Sequence, residues 1–301
     1  MAAMATSTST TVDLSRLARP TILAPVDYEA TLAEMIARVQ TVMPSFDATV
    51  DSDPAVKVLQ VCAYYRMLDQ QDFNERLVSR LVAYATGSTL DHIGAEIGVA
   101  RLTLIPADAA TGAPAVMEDD DELRARIVLA PEKFASAGPE LAWVAHAKDA
   151  SASVLDASAT SPARGEVLIS VLSRDGDGTA SASLLDAVRA IVTDKKIRPL
   201  GALVTVASAS LKPFVVTARL WTFAGPDATL VLASARASLD AYLAKSRKLG
   251  RNITLSALSA ALTVEGVQRV VIDTPLAEIV CDPTQAASCT AITIIHAGYD
   301  E

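Results

Sequence analysis

Between Pro54 and Gly87 the chain carries neither glycine nor proline, and no other stretch restricts the fold as much. Asp53-Pro54 offers an N-cap followed by proline at the first helical position, a strong start signal. Residues 54 to 84 therefore predict one helix, a rod of roughly 46 Å at 1.5 Å per residue. A rod of that length has to lie against something. Val58, Val61, Cys62, Tyr65 and Leu68 form one apolar stripe along it, and Phe73, Leu77, Leu81 and Tyr84 form another, with Asp69-Gln70-Gln71-Asp72 in between. Two readings fit. The rod is either a core helix with a solvated middle turn, or it joins a bundle with other chains, its polar turn setting register as in coiled coils.

The neighbouring segments are helical too. From Tyr28, apolar residues recur at Leu32, Met35, Ile36, Val39 and Met43, the spacing of one buried stripe, until Pro44 closes the helix. Gly87 is expected to end the rod, and Ser88-Thr89-Leu90-Asp91 to cap a short helix that stops at Gly98. A Pro/Gly/Ala-rich connector spans Arg101 to Pro114. The run from Glu118 to Ile127 then reads as a helix start, with Asp119 as cap, Glu122 three positions on, and acids facing the positive end of the dipole. A further helix is expected through Leu141, Trp143, Val144 and His146.

Beyond Ser151 the pattern changes. Strands are expected at Glu166–Leu172, Ala202–Val206, Phe214–Phe223, Val267–Asp273 and Ala291–Ile295, with helices at Leu184–Val192 and along Leu232, Ala235, Leu239 and Tyr242. The fold class is α+β: an N-terminal helical segment with a long helix, then two small strand-helix-strand (α/β sandwich) units resembling a duplicated architecture. The expected domains are an arm over 1–12, a helical bundle-forming domain over 13–100, connector and helices over 101–150, and α/β units over 151–210 and 211–301.

Composition narrows the partners. The net charge of −9 and scattered Lys and Arg argue against nucleic acid, whose phosphates need clustered cations. No segment approaches the roughly 20 apolar residues of a membrane span. Aromatics make up only 4%, so the cores must be built from Ala, Val, Leu and Ile, whose small faces suit packed subunits as well as interiors. Cys62 falls on an apolar helix position and reads as an inert core thiol. Cys281 and Cys289 could bridge, or join His296 at a metal, though zinc ligands usually come in tighter pairs.

Catalytic constellations are few. There is no Gly-x-Ser-x-Gly elbow, phosphate loop or His-Glu-x-x-His, and the three histidines are far apart in sequence. Asp175-Gly176-Asp177-Gly178 is the most tempting segment, yet a calcium loop needs more oxygens and a distant bidentate Glu, so a strand-to-helix turn accounts for it. Neither an enzyme nor a cofactor is expected. Two rivals of other classes are a small-molecule-binding regulatory protein clasping its ligand between the α/β units, and a metal-dependent hydrolase using Asp175 and Asp177.

Several short markers occur in a fixed order: Ser52-Asp53-Pro54, Tyr84-Ala85-x-Gly87 to Leu90-Asp91, the acidic Glu118 to Ile127 helix, Gly138, Val154-x-Asp156-Ala157 to Gly165-Glu166-Val167, Arg198-Pro199-Leu200-Gly201, Gly250-Arg251-Asn252-Ile253, and Val264-Glu265-Gly266-Val267. In that order the chain, from about Asp13 to Glu301, resembles the baseplate J-like proteins of contractile phage tails and tail-derived particles. The resemblance implies a structural wedge subunit in the virion tail baseplate or a tail-like particle, assembled in the host cytoplasm. It implies a homo-dimer within each wedge and a helical bundle with a second wedge protein. It also implies contacts to neighbouring wedges, hub and sheath-initiator proteins that close a ring, which opens during contraction. Val58, Cys62, Tyr65, Leu68, Phe73 and Leu77 are the residues expected in the bundle, and Glu118, Asp119, Asp120, Asp121 and Glu122 form a possible surface contact.

Overall fold

A computed structural model describes residues 14, 17–20, 25–50, 52–135, 137–225 and 227–300. The arm expected over residues 1–12 lies outside them, as does Asp51 of the loop before the rod. The protein is α+β, with eight α-helices and eight strands among the described residues. It divides into two compact units: one contains Val12–Arg101 and Asp119–Ile127, the other Leu102–Glu118 and Val128–Glu301.

The first unit is helical. Asp27 caps α1 (Tyr28–Val42) by accepting from the Ala30 N–H at 3.1 Å. Asp53 caps α2 (Pro54–Ser79) by accepting from Ala55 N–H at 2.7 Å, with Pro54 in the first turn. The rod is shorter than the glycine- and proline-free stretch allows. It stops at Ser79, and its 26 residues span about 39 Å. Past Arg80 the chain tightens into turns, Leu81 N–H to Val78 O at 3.0 Å and Ala85 N–H to Leu81 O at 2.8 Å. That turn buries Ala85 completely and lets the Tyr84 hydroxyl donate to Leu17 O at 2.6 Å. Unwinding is favoured because burial and a tertiary hydrogen bond replace one more helical turn.

Gly87 opens the next helix, α3 (Gly87–Glu96), instead of ending the rod. The expected local cap is not used: Thr86 at the N-cap makes no side-chain bond, and the Gly87 N–H is held by Asp120 Oδ2 at 3.0 Å. A distant carboxylate thus serves a donor that the helix leaves unsatisfied. The connector holds a hairpin that its Pro/Gly/Ala content conceals, β1 (Thr103–Ile105) antiparallel to β2 (Val116–Met117). Asp119 caps α4 (Asp120–Leu129), accepting from Glu122 N–H at 2.7 Å as expected. Leu90, Val99, Leu123 and Ile127 pack the interior of the helical unit.

In the other unit, a short 3-10 turn over Ala130–Phe134 leads to α5 (Glu140–Asp149). The first sheet contains β3 (Val154–Thr160), β4 (Glu166–Ser173) and, after α6 (Ala182–Val192), β5 (Leu203–Ser208). Its order is β3-β4-β5, with β3 antiparallel and β5 parallel to β4. Trp143 and Ala147 of α5 and Leu184, Val188 and Val192 of α6 join Ile169 and Val171 in its core.

The second sheet is built around β6 (Ser210–Thr222), followed by α7 (Ala228–Ser246), α8 (Leu255–Leu262), β7 (Val267–Thr274) and β8 (Gln285–Tyr299). The order is β7-β6-β8, with β7 antiparallel and β8 parallel to β6. Phe214, Val216, Ala218 and Leu220 of β6 pack with Val231, Ala235 and Leu239 of α7 and Leu258 and Leu262 of α8. Each sheet thus has a central strand with one parallel and one antiparallel neighbour. Their connectivity differs: β4 is the second strand of its sheet in chain order, β6 the first, and two helices follow β6. The likeness between the units lies in sheet composition, not chain path.

Candidate partner interface

Helix α2 has two unlike sides. Val56, Ala63 and Val78 are buried, and at 3.6 residues per turn they share one side with half-buried Met67 and Asn74. The opposite side is open and carries apolar residues alongside exposed Asp69, Asp72 and Arg76. Val58 is 61% exposed, Tyr65 62%, Phe73 61% and Leu68 37%, and Cys62 is exposed beside them. Five of the six residues expected in a bundle are therefore exposed. Leu77 departs from the set: it is half-buried, toward the side that carries Val78. The exposed thiol also corrects the reading of Cys62 as a core residue, because periodicity identifies a stripe without telling which stripe faces inward.

The first helix shows the same shortage of cover. Leu32, Met35, Ile36 and Val39 are half-buried, no residue of α1 is fully buried, and Val42, Met43 and Val50 near its end are exposed. Leu90, Leu123 and Ile127 are buried elsewhere in the unit, but the long helix contributes only three buried residues. Tyr64, which sequence reasoning passed over, adds to the open side: it is 49% exposed and meets Tyr65 edge-on at 5.9 Å between ring centroids. The adjacent Tyr64-Tyr65 pair was the available signal. Several large apolar residues left exposed on one element mark an interaction surface. Covering each would contribute about 1–2 kcal/mol, since each is already part-covered.

The polar turn in α2 is mostly solvated. Asp72 pairs with Arg76 at 2.8 Å and Gln71 with Glu75 at 3.0 Å, both along the helix surface. Gln70 alone turns inward, and its Oε1 is buried without a partner.

The acidic cluster differs from the expected surface contact. Glu118 is only 3% exposed and accepts the Leu102 N–H at 3.0 Å, securing the base of the β1–β2 hairpin. Asp120 Oδ1 meets Arg101 Nη2 at 2.6 Å, and Arg101 Nε reaches Asp91 at 2.7 Å. The Gly87 N–H and then Arg101 hold the Asp120 carboxyl below the usual carboxylate range. Arg124 donates to the carbonyls of Val82 at 2.9 Å and Ala85 at 2.7 Å, and Arg126 to Ala100 at 3.0 Å. The Leu-Arg-x-Arg-Ile pattern thus alternates two core anchors, Leu123 and Ile127, with two arginines that hold the preceding backbone. Asp119 and Asp121 remain exposed, and Asp120 and Glu122 are half-buried. Glu118 is internal because the Leu102 N–H needs an acceptor, and Asp120 is drawn inward by the Gly87 N–H and Arg101.

The other candidate chemistry resolves into local structure. Asp177 accepts Thr179 N–H at 2.9 Å, which with the Thr179 hydroxyl lowers its carboxyl pKa, and the Asp175 N–H donates to Ser173 Oγ at 3.1 Å. These are turn contacts between β4 and α6. Among the described residues no three His, Cys, Asp or Glu side chains gather to hold a metal. Cys281 is buried and Cys289 half-buried, both as free thiols, and His296 Nε2 bonds to Thr222 Oγ1 at 3.1 Å. A cleft of about 450 Å3 lies beside the Gly176–Asp177 turn, floored by Phe214, Leu243 and Ile292. Its charged groups are already engaged: Asp240 with Arg236 at 2.9 Å, and Arg247 with Gly176 O at 3.0 Å.

Three family models match successive parts of the chain. Residues 51–108 match the Baseplate J-like N-terminal domain, 135–208 the Baseplate J-like central domain, and 214–295 the Baseplate J-like protein C-terminal domain. The chain is 40% identical over 299 residues to "Baseplate protein J" of Escherichia phage P2, an overlap of 96% of this chain and 99% of that protein.

Proposed function

Because this chain belongs to the baseplate J-like family, we propose that it works as a structural subunit of a phage tail baseplate, located in the virion. Within that role it is a wedge subunit. Its long helix enters a bundle with a second wedge protein, and two copies pair within each wedge. Its α/β units meet neighbouring wedges, so that the subunits close a ring linked to hub and sheath. The role is structural, not catalytic.

One observation carries the bundle: Val58, Cys62, Tyr65, Leu68 and Phe73 of α2 are apolar and exposed, away from the side its own unit covers. Exposed apolar side chains on a helix gain free energy by packing against another helix pair. The experiment is co-expression with a second baseplate protein of the same phage. The wild-type chain should co-purify with it, and Leu68→Asp with Phe73→Asp should abolish the complex. A complex that survives the double substitution would remove α2 from the interface while leaving family membership untouched.

A further inference from the structure

We infer that the central and C-terminal α/β sheets act as one rigid lever, with Asp156 as the residue that positions the second sheet against the first. The inference does not rest on the proposed baseplate role, and it concerns parts of the chain that match two separate domain families.

The backbone gives the first reason. Strands β5 and β6 are one extended run broken by a single residue, Ala209, which is 7% exposed. Its N–H bonds to Val171 O in the first sheet at 2.8 Å, and the next N–H, of Ser210, bonds to Thr284 O beside the second sheet at 3.0 Å. Hydrogen bonding passes from one sheet to the other between consecutive residues. A hinge needs a few residues free to change φ and ψ. Here a change at either residue would break a ladder bond and expose its partners.

Side chains close the same junction. Leu172, Ala209 and Ala286 form a small buried cluster, backed by Leu155, Leu211 and Leu249. Asp156 lies on β3 with its side chain 14% exposed. Its Oδ2 accepts the Leu249 N–H, beyond α7, at 3.0 Å, and its Oδ1 meets Lys148 Nζ of α5 at 2.9 Å. The Ser158 hydroxyl donates to Pro283 O, and Arg247 reaches across to Gly176 O at 3.0 Å. A carboxylate this sheltered has lost most of its water, so the arrangement in which both oxygens are bonded is favoured. Tilting one sheet would strand Asp156, Leu249 N–H and the apolar cluster together. A load applied to β8 or β7 is then carried through β6 into β5 without a yielding link, and any reorientation occurs outside residues 151–300.

The test is the distance distribution between nitroxide labels in the full chain, measured by pulsed electron resonance. Exposed Ala190 on α6 and Ala237 on α7 are changed to cysteine in a Cys62→Ser, Cys289→Ser background. One narrow distance is expected, no wider than that of a label pair placed within the second sheet unit. A broad or two-peaked distribution overturns the lever. Asp156→Ala should broaden the distribution at least twofold, and Asp156→Asn, which keeps an oxygen for Leu249 N–H, should broaden it less. If the wild type is narrow and Asp156→Ala stays equally narrow while folded by circular dichroism, Asp156 is not the positioning residue.

Discussion

The guanidinium of Arg101 lies 2.6 Å from Asp120 and 2.7 Å from Asp91, so one cation ties the start of α4 to the middle of α3. Its side chain is 14% exposed, whereas Asp120 is 33% and Asp91 46% exposed. Removing the cation leaves two part-buried acids facing each other. Arg101→Met should therefore cost about 1–3 kcal/mol, below the full cost of a wholly buried pair. Urea unfolding followed by far-ultraviolet circular dichroism measures it, and an effect under about 0.5 kcal/mol would show that the pair is ornamental.

The same site sets a pH dependence. Asp120 has a lowered carboxyl pKa in the folded chain, first through the Gly87 N–H and then through Arg101. A group lowered on folding contributes stability above its ordinary pKa of 3.8, and that contribution is lost as pH falls below it toward the folded value. Asp120→Asn should lower stability at pH 7 and flatten the loss on acidification below pH 4. The reverse outcome, a variant that loses more stability on acidification than the wild type, contradicts the assignment.

The two sides of α2 should respond oppositely to substitution. Val58→Asp or Phe73→Asp alters residues that are 61% exposed, so the melting temperature of the isolated chain should move by less than about 2 °C. Ala63→Asp, at a fully buried position on the other side, should cost more than about 3 kcal/mol or prevent folding. The thiols report the same asymmetry. Cys62 should react with a thiol reagent at pH 8 well ahead of Cys281 and Cys289, whose pKa values burial pushes up. If Cys281 reacts first, the packing described around it is wrong.

Gly138 combines two demands. Its φ is +69°, and an added Cβ would lie 2.7 Å from Pro199 Cγ and 3.2 Å from Trp143 Nε1. Gly138→Ala should cost about 2–4 kcal/mol, the left-handed penalty plus overpacking. Gly112→Ala is the control: φ is +72° but nothing lies within 4 Å, so about 1–2 kcal/mol is expected. Equal losses in thermal unfolding would mean that Pro199 yields freely.

Several markers that were only letters in order acquire physical roles in the folded chain. Asp156 bonds Leu249 N–H, Asn252 Oδ1 accepts Cys281 N–H at 2.8 Å, and Gly138 packs on Pro199 of the Arg198-Pro199-Leu200-Gly201 turn. None of these pairings is local, which is why spacing could order the markers without explaining them.

Sequence alone was enough for the α+β class, the family and most element positions, because these depend on periodicity, caps and turn residues that act within a few positions of one another. Asp53-Pro54 starts α2 as read, and Asp119 starts α4. It missed strand β3, whose Ser, Ala and Thr residues carry little apolar alternation, and the hairpin β1–β2. Tertiary structure decided where α2 stops, since burying Ala85 and bonding Tyr84 to Leu17 outweighed another helical turn. It also decided which stripe of α2 meets water, and it turned Glu118 and Asp120 inward toward backbone donors that lie 16 and 33 residues away. Helical spacing is a property of neighbours along the chain; the direction of burial depends on what the rest of the chain leaves uncovered.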